Sequence, residues 1–265
     1  MNLEKNSNNK NPIISIITVS YNSNNAIAQN IASVDRQDFK EWEHIIIDNK
    51  SNDFSIDIIK DKLNKKRKLI SENDEGIYDA MNKGLKLAKG SIIIILNADD
   101  RLASYQTLSN VFRIFKTTNC EIIYSGIEYI DLSGKSYGKW LPEKFKKGSF
   151  INGFNTPHPG FFVKRNMYEA LGNFDKRLKI AADFDLMKRF LDNDNYKSVH
   201  YPIVTVKMQI NGASSKVKNI IIGFFNIIAS FKKTHKNFNP FLYFSIRYGI
   251  KIIRKLRISY KIKLR

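Results

Sequence analysis

The sequence predicts an α/β fold in which a mostly parallel β-sheet is covered by helices on both faces. Between residues 12 and 125, short apolar segments rich in β-branched residues alternate with segments of helical spacing. The apolar segments are continuous, which is typical of parallel strands buried on both faces. With 265 residues, 43% of them hydrophobic, the chain is long enough to bury a substantial core.

The elements follow one another in a regular order along the first half. Strands are predicted over residues 13–19, 44–47, 68–70, 92–96 and 121–124. Helices are predicted from an N-cap at residues 23–25 to residue 34, and over residues 53–63, 76–88 and 104–115. Gly90 is expected to close the third helix. Residues 126–162 favour hairpins and loops, followed by helices over 165–171 and 184–191 and a late strand over 199–208.

The charge divides the chain into a body and a tail. The formal net charge is +19, but residues 216–265 hold 13 of the 44 lysines and arginines and no acidic residue. The body is therefore only mildly basic. We predict a disordered N-terminus over residues 1–11, a folded domain over 12–215 that divides near residue 125, and a basic helical tail over 216–265.

The tail alternates apolar blocks with basic clusters. Its first block, residues 220–231, is too short to span a bilayer but suits a helix that lies in the interface. We predict that the tail docks on an anionic membrane surface. The aromatic residues expected at headgroup depth are Phe224, Phe225, Phe231, Phe241, Tyr243, Phe244, Tyr248 and Tyr260. The alternatives are packing on the core or on another subunit, and nucleic-acid binding, which the grouping of aromatics inside apolar blocks disfavours.

Several function classes lack their sequence signals. The single cysteine, Cys120, excludes a disulfide framework and a cysteine-based zinc site. The turn after the first strand has no glycine, so the dinucleotide-binding fingerprint is missing. Gly134-Lys135-Ser136 lacks the upstream glycine of a phosphate-binding loop. The start of the chain lacks the apolar segment of a secretory signal, so we expect a cytoplasmic protein on the inner face of the membrane.

Acidic residues follow the predicted strands where a parallel sheet binds ligands. Asp48 follows the second strand, and Asp99 and Asp100 follow the fourth. Carboxylates beside an anionic diphosphate favour an intervening Mg²⁺ or Mn²⁺, with Asp99 as a ligand and Asp48 as an acceptor for a base N–H group. Asp183 precedes a predicted helix and could serve as a general base. Each of these residues, taken alone, could instead be a helix cap or a turn residue.

Five ordered blocks of the sequence resemble the family 2 glycosyltransferases, which have the GT-A fold. The blocks lie at residues 12–22, 44–53, 73–84, 96–100 and, in two parts, at 157–162 and 171–186. The resemblance covers about residues 12–212, and the subset that looks most similar acts in bacterial surface-polysaccharide assembly. It implies a nucleotide-binding half over residues 12–125, an acceptor-side half over 126–215, and a donor linked to UDP or GDP.

The resemblance also implies roles for particular residues. Thr18, Tyr21 and Asp48 would bind the nucleotide, Asn97 and Asp99 would hold Mn²⁺ or Mg²⁺, and Asp100 would lie near the donor sugar. Asp183 would be the catalytic base and His158 would lie on the acceptor side. Asn97 stands where this family often has a first aspartate, which lowers the charge of the metal motif. The acceptor implied is a saccharide or a lipid-linked saccharide, and no nucleic acid is expected.

Two other functions are compatible with parts of this pattern. A sugar-phosphate nucleotidyltransferase can use a similar sheet, but it usually needs a glycine- and basic-rich loop after the first strand, which residues 20–25 lack. A basic membrane-binding protein without enzymatic activity would leave the carboxylates at the strand ends without a role. Binding of a nucleoside diphosphate together with Mn²⁺ separates the transferase from the binding protein.

Overall fold

The computed structural model describes residues 11–210, 217–233, 238–246 and 249, and within them strands and helices alternate as the sequence predicts. The strands are β1 Ile14–Ser20, β2 Trp42–Asp48, β3 Arg67–Ser71, β4 Ile92–Ile95, β5 Arg101–Leu102, β6 Ile122–Ile130, β7 Ser136–Trp140, β8 Phe161–Lys164 and β9 Ser198–Gln209. The helices are α1 Ile27–Asp35, α2 Ser55–Asp61, α3 Ile77–Leu87, α4 Thr107–Thr118, α5 Arg165–Leu171, α6 Ala182–Leu191 and α7 Val217–Lys232. Two 3₁₀ turns lie at Ser149–Asn152 and His158–Gly160.

These strands form one mixed sheet in the order β3-β2-β1-β4-β8-β6-β9-β5, with β7 paired to β6. The first four strands of this order are parallel, which confirms the predicted parallel sheet of an α/β fold. The predicted fifth strand, now β6, does not lie beside β4, because β8 lies between them and runs antiparallel to both. β9 is parallel to β6, and the two-residue β5 adds antiparallel to β9 at the edge.

Helices cover both faces of the sheet, as predicted. On one face, Ile14 and Ile16 of β1 pack with residues of α1 and α4 such as Val34 and Val111. On the other face, the alternate residues of β1 pack against α3, α5, α6 and α7. This two-sided burial explains why the central strands are continuously apolar.

Two local predictions are wrong. The first helix begins at Ile27 with Ala26 as its N-cap residue, and no side chain at residues 23–25 caps it. The hydroxyl group of Ser23 instead donates to the carbonyl oxygen of Tyr21. Gly90 does not close α3 in a left-handed conformation; a Cβ atom there would lie 2.5 Å from the backbone nitrogen of Ser15, so close backbone approach explains this glycine.

Part of the tail packs on the core, which is one of the alternatives that the sequence left open. Phe231, Tyr243 and Phe244 are buried in the core, so their expected position at headgroup depth is wrong. Phe225 and Phe241 are instead exposed, with relative accessibilities of 61% and 83%. Tyr248, Tyr260, most of the basic clusters and residues 1–10 lie outside the described residues. No helix in the described part of the chain is long and apolar enough to cross a membrane.

Candidate active site

The carboxyl ends of the parallel strands bring the predicted nucleotide-binding residues to one edge of the sheet. Ser20, Asp48 and Ser71 are aligned across β1, β2 and β3. The chain leaving β4 follows the end of β1, since the N–H group of Ala98 donates to the carbonyl oxygen of Val19. Asp48 and the turn after β4 therefore flank the end of β1, about 10 Å apart at the usual strand spacing.

Asp48 is fully buried and holds the loop that follows β2. Its carboxylate accepts hydrogen bonds from the backbone N–H and hydroxyl groups of Ser51 and from the hydroxyl group of Ser71. These bonds fix the loop at this edge. The side chain itself has no exposed surface, so the structure places it behind the loop rather than at the surface of the cleft.

The two other predicted nucleotide-binding residues differ in their surroundings. Tyr21 is 60% exposed just beyond β1, where its ring can contact a ligand. Thr18 is completely buried, and its hydroxyl group lies 2.9 Å from Nε2 of His44. The Thr18 side chain therefore belongs to the interior of the sheet, and its assignment to nucleotide contact is not supported.

The turn from Asn97 to Asp100 carries two adjacent carboxyl groups with unusual surroundings. Burial raises the pKa of Asp99. Burial, and then the charge of Asp99, raises the pKa of Asp100 well above its ordinary value. Among the described residues, no group meets strict hydrogen-bond geometry with the carboxylate oxygens of Asp100 or with the amide oxygen of Asn97. The side chain and backbone of Asn97 and the backbone of Gln209 nevertheless lie close enough to Asp100 to oppose part of the rise in its pKa. Asp100 is only 1% exposed, so it lies deeper than the predicted contact with a donor sugar implies.

The carboxyl and amide oxygen atoms of this turn fit a hard divalent cation. Mg²⁺ and Mn²⁺ prefer oxygen ligands, and a cation offsets the cost of burying two neighbouring carboxylates. Within the described part of the chain, no cluster of three or more His, Cys, Asp or Glu side chains is arranged to hold a metal ion. A cation at this turn would therefore need further oxygen ligands from water or from a diphosphate, which is the usual arrangement for Mg²⁺.

Asp183 lies in the first turn of α6, one position inside the helix rather than before it. Its Oδ1 atom lies 2.9 Å from the hydroxyl group of Tyr78 and accepts a 2.8 Å hydrogen bond from the backbone N–H group of Phe184. Among the described residues, no donor contacts Oδ2 within hydrogen-bonding distance. The carboxylate is thus oriented through one oxygen atom, and the other can accept a proton.

His158 links the two halves of the site. It begins the 3₁₀ turn His158–Gly160, which packs against both β4 and α6. Burial lowers the pKa of His158, and the charge of Asp183 opposes this shift. Tyr78 lies in the first turn of α3, which follows the end of β3 after a short loop, and β4 leads into the turn at Asn97. These contacts therefore bring Asp183 and His158 to the edge that carries Asp48 and Asp99.

The sequence did not single out Tyr78. It lies within the block at residues 73–84 but bonds to a residue 105 positions away, and no local pattern indicates such a contact. A cavity of about 420 Å³, lined by Asp35, Lys40, Trp42, Asn64, Lys65 and Lys66, lies near the start of β2 and thus away from the strand ends that carry these carboxylates.

Comparisons with known proteins agree with this architecture. The model of glycosyl transferase family 2 matches residues 15–172. An uncharacterized glycosyltransferase from Methanocaldococcus jannaschii is 29% identical over 193 residues, which cover 69% of this chain and 66% of that protein. A PGL/p-HBAD biosynthesis glycosyltransferase from Mycobacterium bovis is 28% identical over 185 residues, which cover 69% of this chain and 71% of that protein.

Solved structures share the fold. S. aureus TarS 1-349 in complex with UDP-GlcNAc has a TM-score of 0.65 and 19% identity, covering 88% of this chain and 70% of TarS. The mannosyltransferase PcManGT from Pyrobaculum calidifontis, in complex with GDP-Man and Mn²⁺, has a TM-score of 0.62 and 17% identity. The match covers 91% of this chain and 70% of PcManGT. These likenesses confirm the GT-A fold. Since the family model spans more than half of the sequence, the chain belongs to glycosyl transferase family 2.

Proposed function

We propose that this protein transfers a sugar from a UDP- or GDP-linked donor to a hydroxyl group of a saccharide acceptor, with inversion at the anomeric carbon. The observation that carries the proposal is the carboxylate of Asp183, held by Tyr78 through one oxygen atom at the edge of the sheet where the partly buried Asp99 adjoins the buried Asp100. A proton acceptor and a turn that can hold a cation with its diphosphate are the two parts that this reaction needs.

Asp183 acts as the general base. Its Oδ2 atom takes the proton of the acceptor hydroxyl group while that oxygen attacks the anomeric carbon from the face opposite the nucleotide. The bond between the anomeric carbon and the diphosphate breaks, and the nucleoside diphosphate leaves with the electron pair. Tyr78 keeps the carboxylate oriented, and neutral His158 lies on the acceptor side, where it can bind a sugar hydroxyl group.

Asp99 and the amide oxygen of Asn97 would hold Mn²⁺ or Mg²⁺, with Asp100 buried behind them. When bound, the cation supplies Lewis-acid stabilisation of the departing diphosphate. Tyr21 would contact the base or ribose, whereas Asp48 would act mainly through the loop that it holds. The solved PcManGT complex contains GDP-Man and Mn²⁺, which supports this cofactor choice by analogy of fold.

We further propose that the acceptor is lipid-linked and serves cell-surface polysaccharide synthesis at the inner face of the membrane. Ile221, Phe225, Phe241 and Leu242 are exposed on the described part of the tail. The tail carries 13 basic residues and no acidic one, which complements an anionic leaflet. Apolar side chains together with basic charge are the two signals that interfacial binding requires.

The test is a donor screen that measures released nucleoside diphosphate over a panel of UDP- and GDP-linked sugars with Mn²⁺. Release from one donor that depends on an added saccharide acceptor supports the proposal. Binding of nucleoside triphosphates with release of pyrophosphate would favour the nucleotidyltransferase. Failure to bind either UDP or GDP in the presence of Mn²⁺ would favour a basic binding protein without this activity.

A further inference from the structure

Helix α1 carries a polar stripe on its buried side. Asn30 and Ser33 lie on one side of the helix, and Gln37 lies just beyond its C-terminal end; all three are almost completely buried. Each of them hydrogen-bonds the backbone that follows β4 rather than packing as an apolar core residue. Polar side chains of this helix therefore hold that segment in position through hydrogen bonds.

Asn30 binds both ends of the turn that carries Asp99. Its Nδ2 group donates to the carbonyl oxygen of Asn97 at 2.8 Å and to that of Asp100 at 3.0 Å. Both partners are acceptors, so the NH₂ group must face them and the orientation of the amide is fixed. Asn97 and Asp100 are themselves joined by a backbone hydrogen bond of 2.9 Å. One amide group thus holds the two ends of the turn at a set separation.

A directed chain of hydrogen bonds orients Asn30 from the other side. Arg67 can only donate, and its Nε group bonds Nδ1 of His44 at 3.1 Å. Burial lowers the pKa of His44 well below its ordinary value, so the ring is neutral and carries its proton on Nε2. Nε2 then donates to Thr18, and the hydroxyl group of Thr18 is left to donate to Oδ1 of Asn30, at 3.4 Å the longest link.

This series of hydrogen bonds begins at Arg67, a charged residue that other contacts hold in place. The guanidinium group of Arg67 is buried, forms an ion pair with Asp35 at 2.6 Å and donates to the carbonyl oxygen of Lys62. Every donor in the series is therefore matched to an acceptor, and the polarity runs in one direction from Arg67 to the turn. This network also gives Thr18 a role that does not involve contact with a nucleotide.

We propose that Asn30 is a positioning residue for the candidate cation and diphosphate turn at residues 97–100, and that Arg67, His44 and Thr18 fix the amide of Asn30 in the orientation that this needs. The expected effect of Asn30 on nucleotide binding rests on the proposed function. Its expected effect on the conformation of the turn does not. Displacement of a ligand-binding group by about 1 Å can cost on the order of 10²-fold in activity.

The test compares Asn30→Leu with Gln37→Leu. Gln37 is also buried, just after the end of α1, but it bonds Ser104 and Leu108, beyond the turn, so it is the matched control for loss of a buried amide. Amide hydrogen exchange over residues 96–102 is measured without ligand. We expect at least about tenfold faster exchange in Asn30→Leu and no change there in Gln37→Leu, as follows from loss of two hydrogen bonds. Wild-type exchange in folded Asn30→Leu would overturn the proposal.

A second arm measures the affinity of UDP and GDP with Mn²⁺ by calorimetry. We expect Asn30→Leu to bind about tenfold more weakly than Gln37→Leu, and Asn30→Ser, which keeps one donor, to lie between them. Equal affinities of Asn30→Leu and wild type would overturn the link to binding. If Asn30→Leu does not fold, Asn30→Ser replaces it in both the hydrogen-exchange and the affinity measurements. Failure of the wild type to bind either nucleotide would contradict the proposed function. The hydrogen-exchange measurement, which is made without ligand, would still test the role of Asn30 in the turn.

Discussion

The hydroxyl group of Tyr78 lies 2.9 Å from Oδ1 of Asp183, and an equal distance from the carbonyl oxygen of Ile180. The hydroxyl group has a single proton to share between these two acceptors. The charge of Asp183 adds to burial in raising the pKa of Tyr78, so the phenol stays protonated near neutral pH. Helix α3, which follows the parallel strand β3, thereby orients a carboxylate in the first turn of α6.

Tyr78→Phe should lower kcat by about 2- to 10-fold, because it removes one hydrogen bond to the base. The ring stacks on Phe174 with centroids 5.6 Å apart, and phenylalanine keeps that contact. Steady-state kinetics should show little change in the KM for the donor. A large loss of donor affinity with unchanged kcat would contradict the orienting role.

Asp183→Asn should reduce turnover by about 10²- to 10⁴-fold and leave donor affinity nearly intact, since asparagine keeps the shape but cannot take the proton. The matched control is Asp194→Asn, which alters an exposed carboxylate that is ion-paired with Lys147. Product-nucleotide release under saturating donor measures the effect. Turnover like that of the wild type in Asp183→Asn would remove this residue from the mechanism.

Asp99→Ala should abolish the dependence of nucleotide affinity on Mn²⁺, because it removes the ionised ligand at the turn. Calorimetry with UDP and GDP, with and without a chelator, measures this. Asn97→Ala should have a smaller effect, since a neutral amide oxygen contributes less than a carboxylate. If nucleotide binding and activity in Asp99→Ala survive the chelator, the cation does not bind at this turn.

The exposed aromatic residues of the tail provide a cleaner test of membrane docking than truncation. Removal of residues 217–265 would take Phe231 and Tyr243 out of the core, and would break the hydrogen bond from Ile180 to Asn226 that holds the segment before Asp183. Such a protein would lose its site together with its tail.

Phe225→Ser combined with Phe241→Ser should instead weaken co-sedimentation with anionic phospholipid vesicles by about tenfold or more, given the free energy of burying an aromatic side chain. The matched control is Phe54→Ser with Tyr105→Ser, which removes two equally exposed aromatic rings from the body. Equal binding by the two double variants would show that the tail does not dock on membranes.

The stability of the protein should fall as the pH drops below about 6.5, in part because of His44. Burial, and then the charge of Arg67, lowers the pKa of His44 in the folded state. Below the unfolded-state pKa, the unfolded chain gains a proton that the folded chain does not, and the free energy of unfolding falls by up to about 1.4 kcal/mol per pH unit. Urea unfolding of His44→Gln at pH 7.5 and 5.5 should show a smaller difference than the wild type; an equal difference would assign the loss to other groups.

The parallel half of the fold was predictable because its signals are local. Each of β1 to β4 contains consecutive apolar residues bounded by polar ones, and the predicted bounds differ from the observed ones by at most two residues. β8 was missed because it has only four residues and runs directly into α5. The tail was ambiguous because membrane docking and core packing both require apolar residues at helical spacing. Only tertiary contacts show that Phe231 is buried whereas Phe225 is exposed.

The candidate site was predictable where chemistry coincides with strand ends. Asp48, Asp99 and Asp100 follow directly from that rule. Tyr78 could not be found, because its contact spans 105 positions. Asn30 did leave a signal, since Asn30 and Ser33 interrupt the apolar pattern of α1 on its buried side. The role of Thr18 was implied by the family resemblance, but its side chain is completely buried and bonds His44, which the sequence alone does not reveal.

The most direct test of the account is a crystal structure of the protein with Mn²⁺ and whichever of UDP or GDP binds it. We expect the diphosphate and cation to lie against Asp99, and the base to lie near Tyr21 and the loop held by Asp48. We expect Asp183 to lie across the same cleft. A nucleotide bound at the cavity between Lys40, Trp42 and Lys66, or any arrangement that leaves Asp99 and Asp183 in separate clefts, would contradict it.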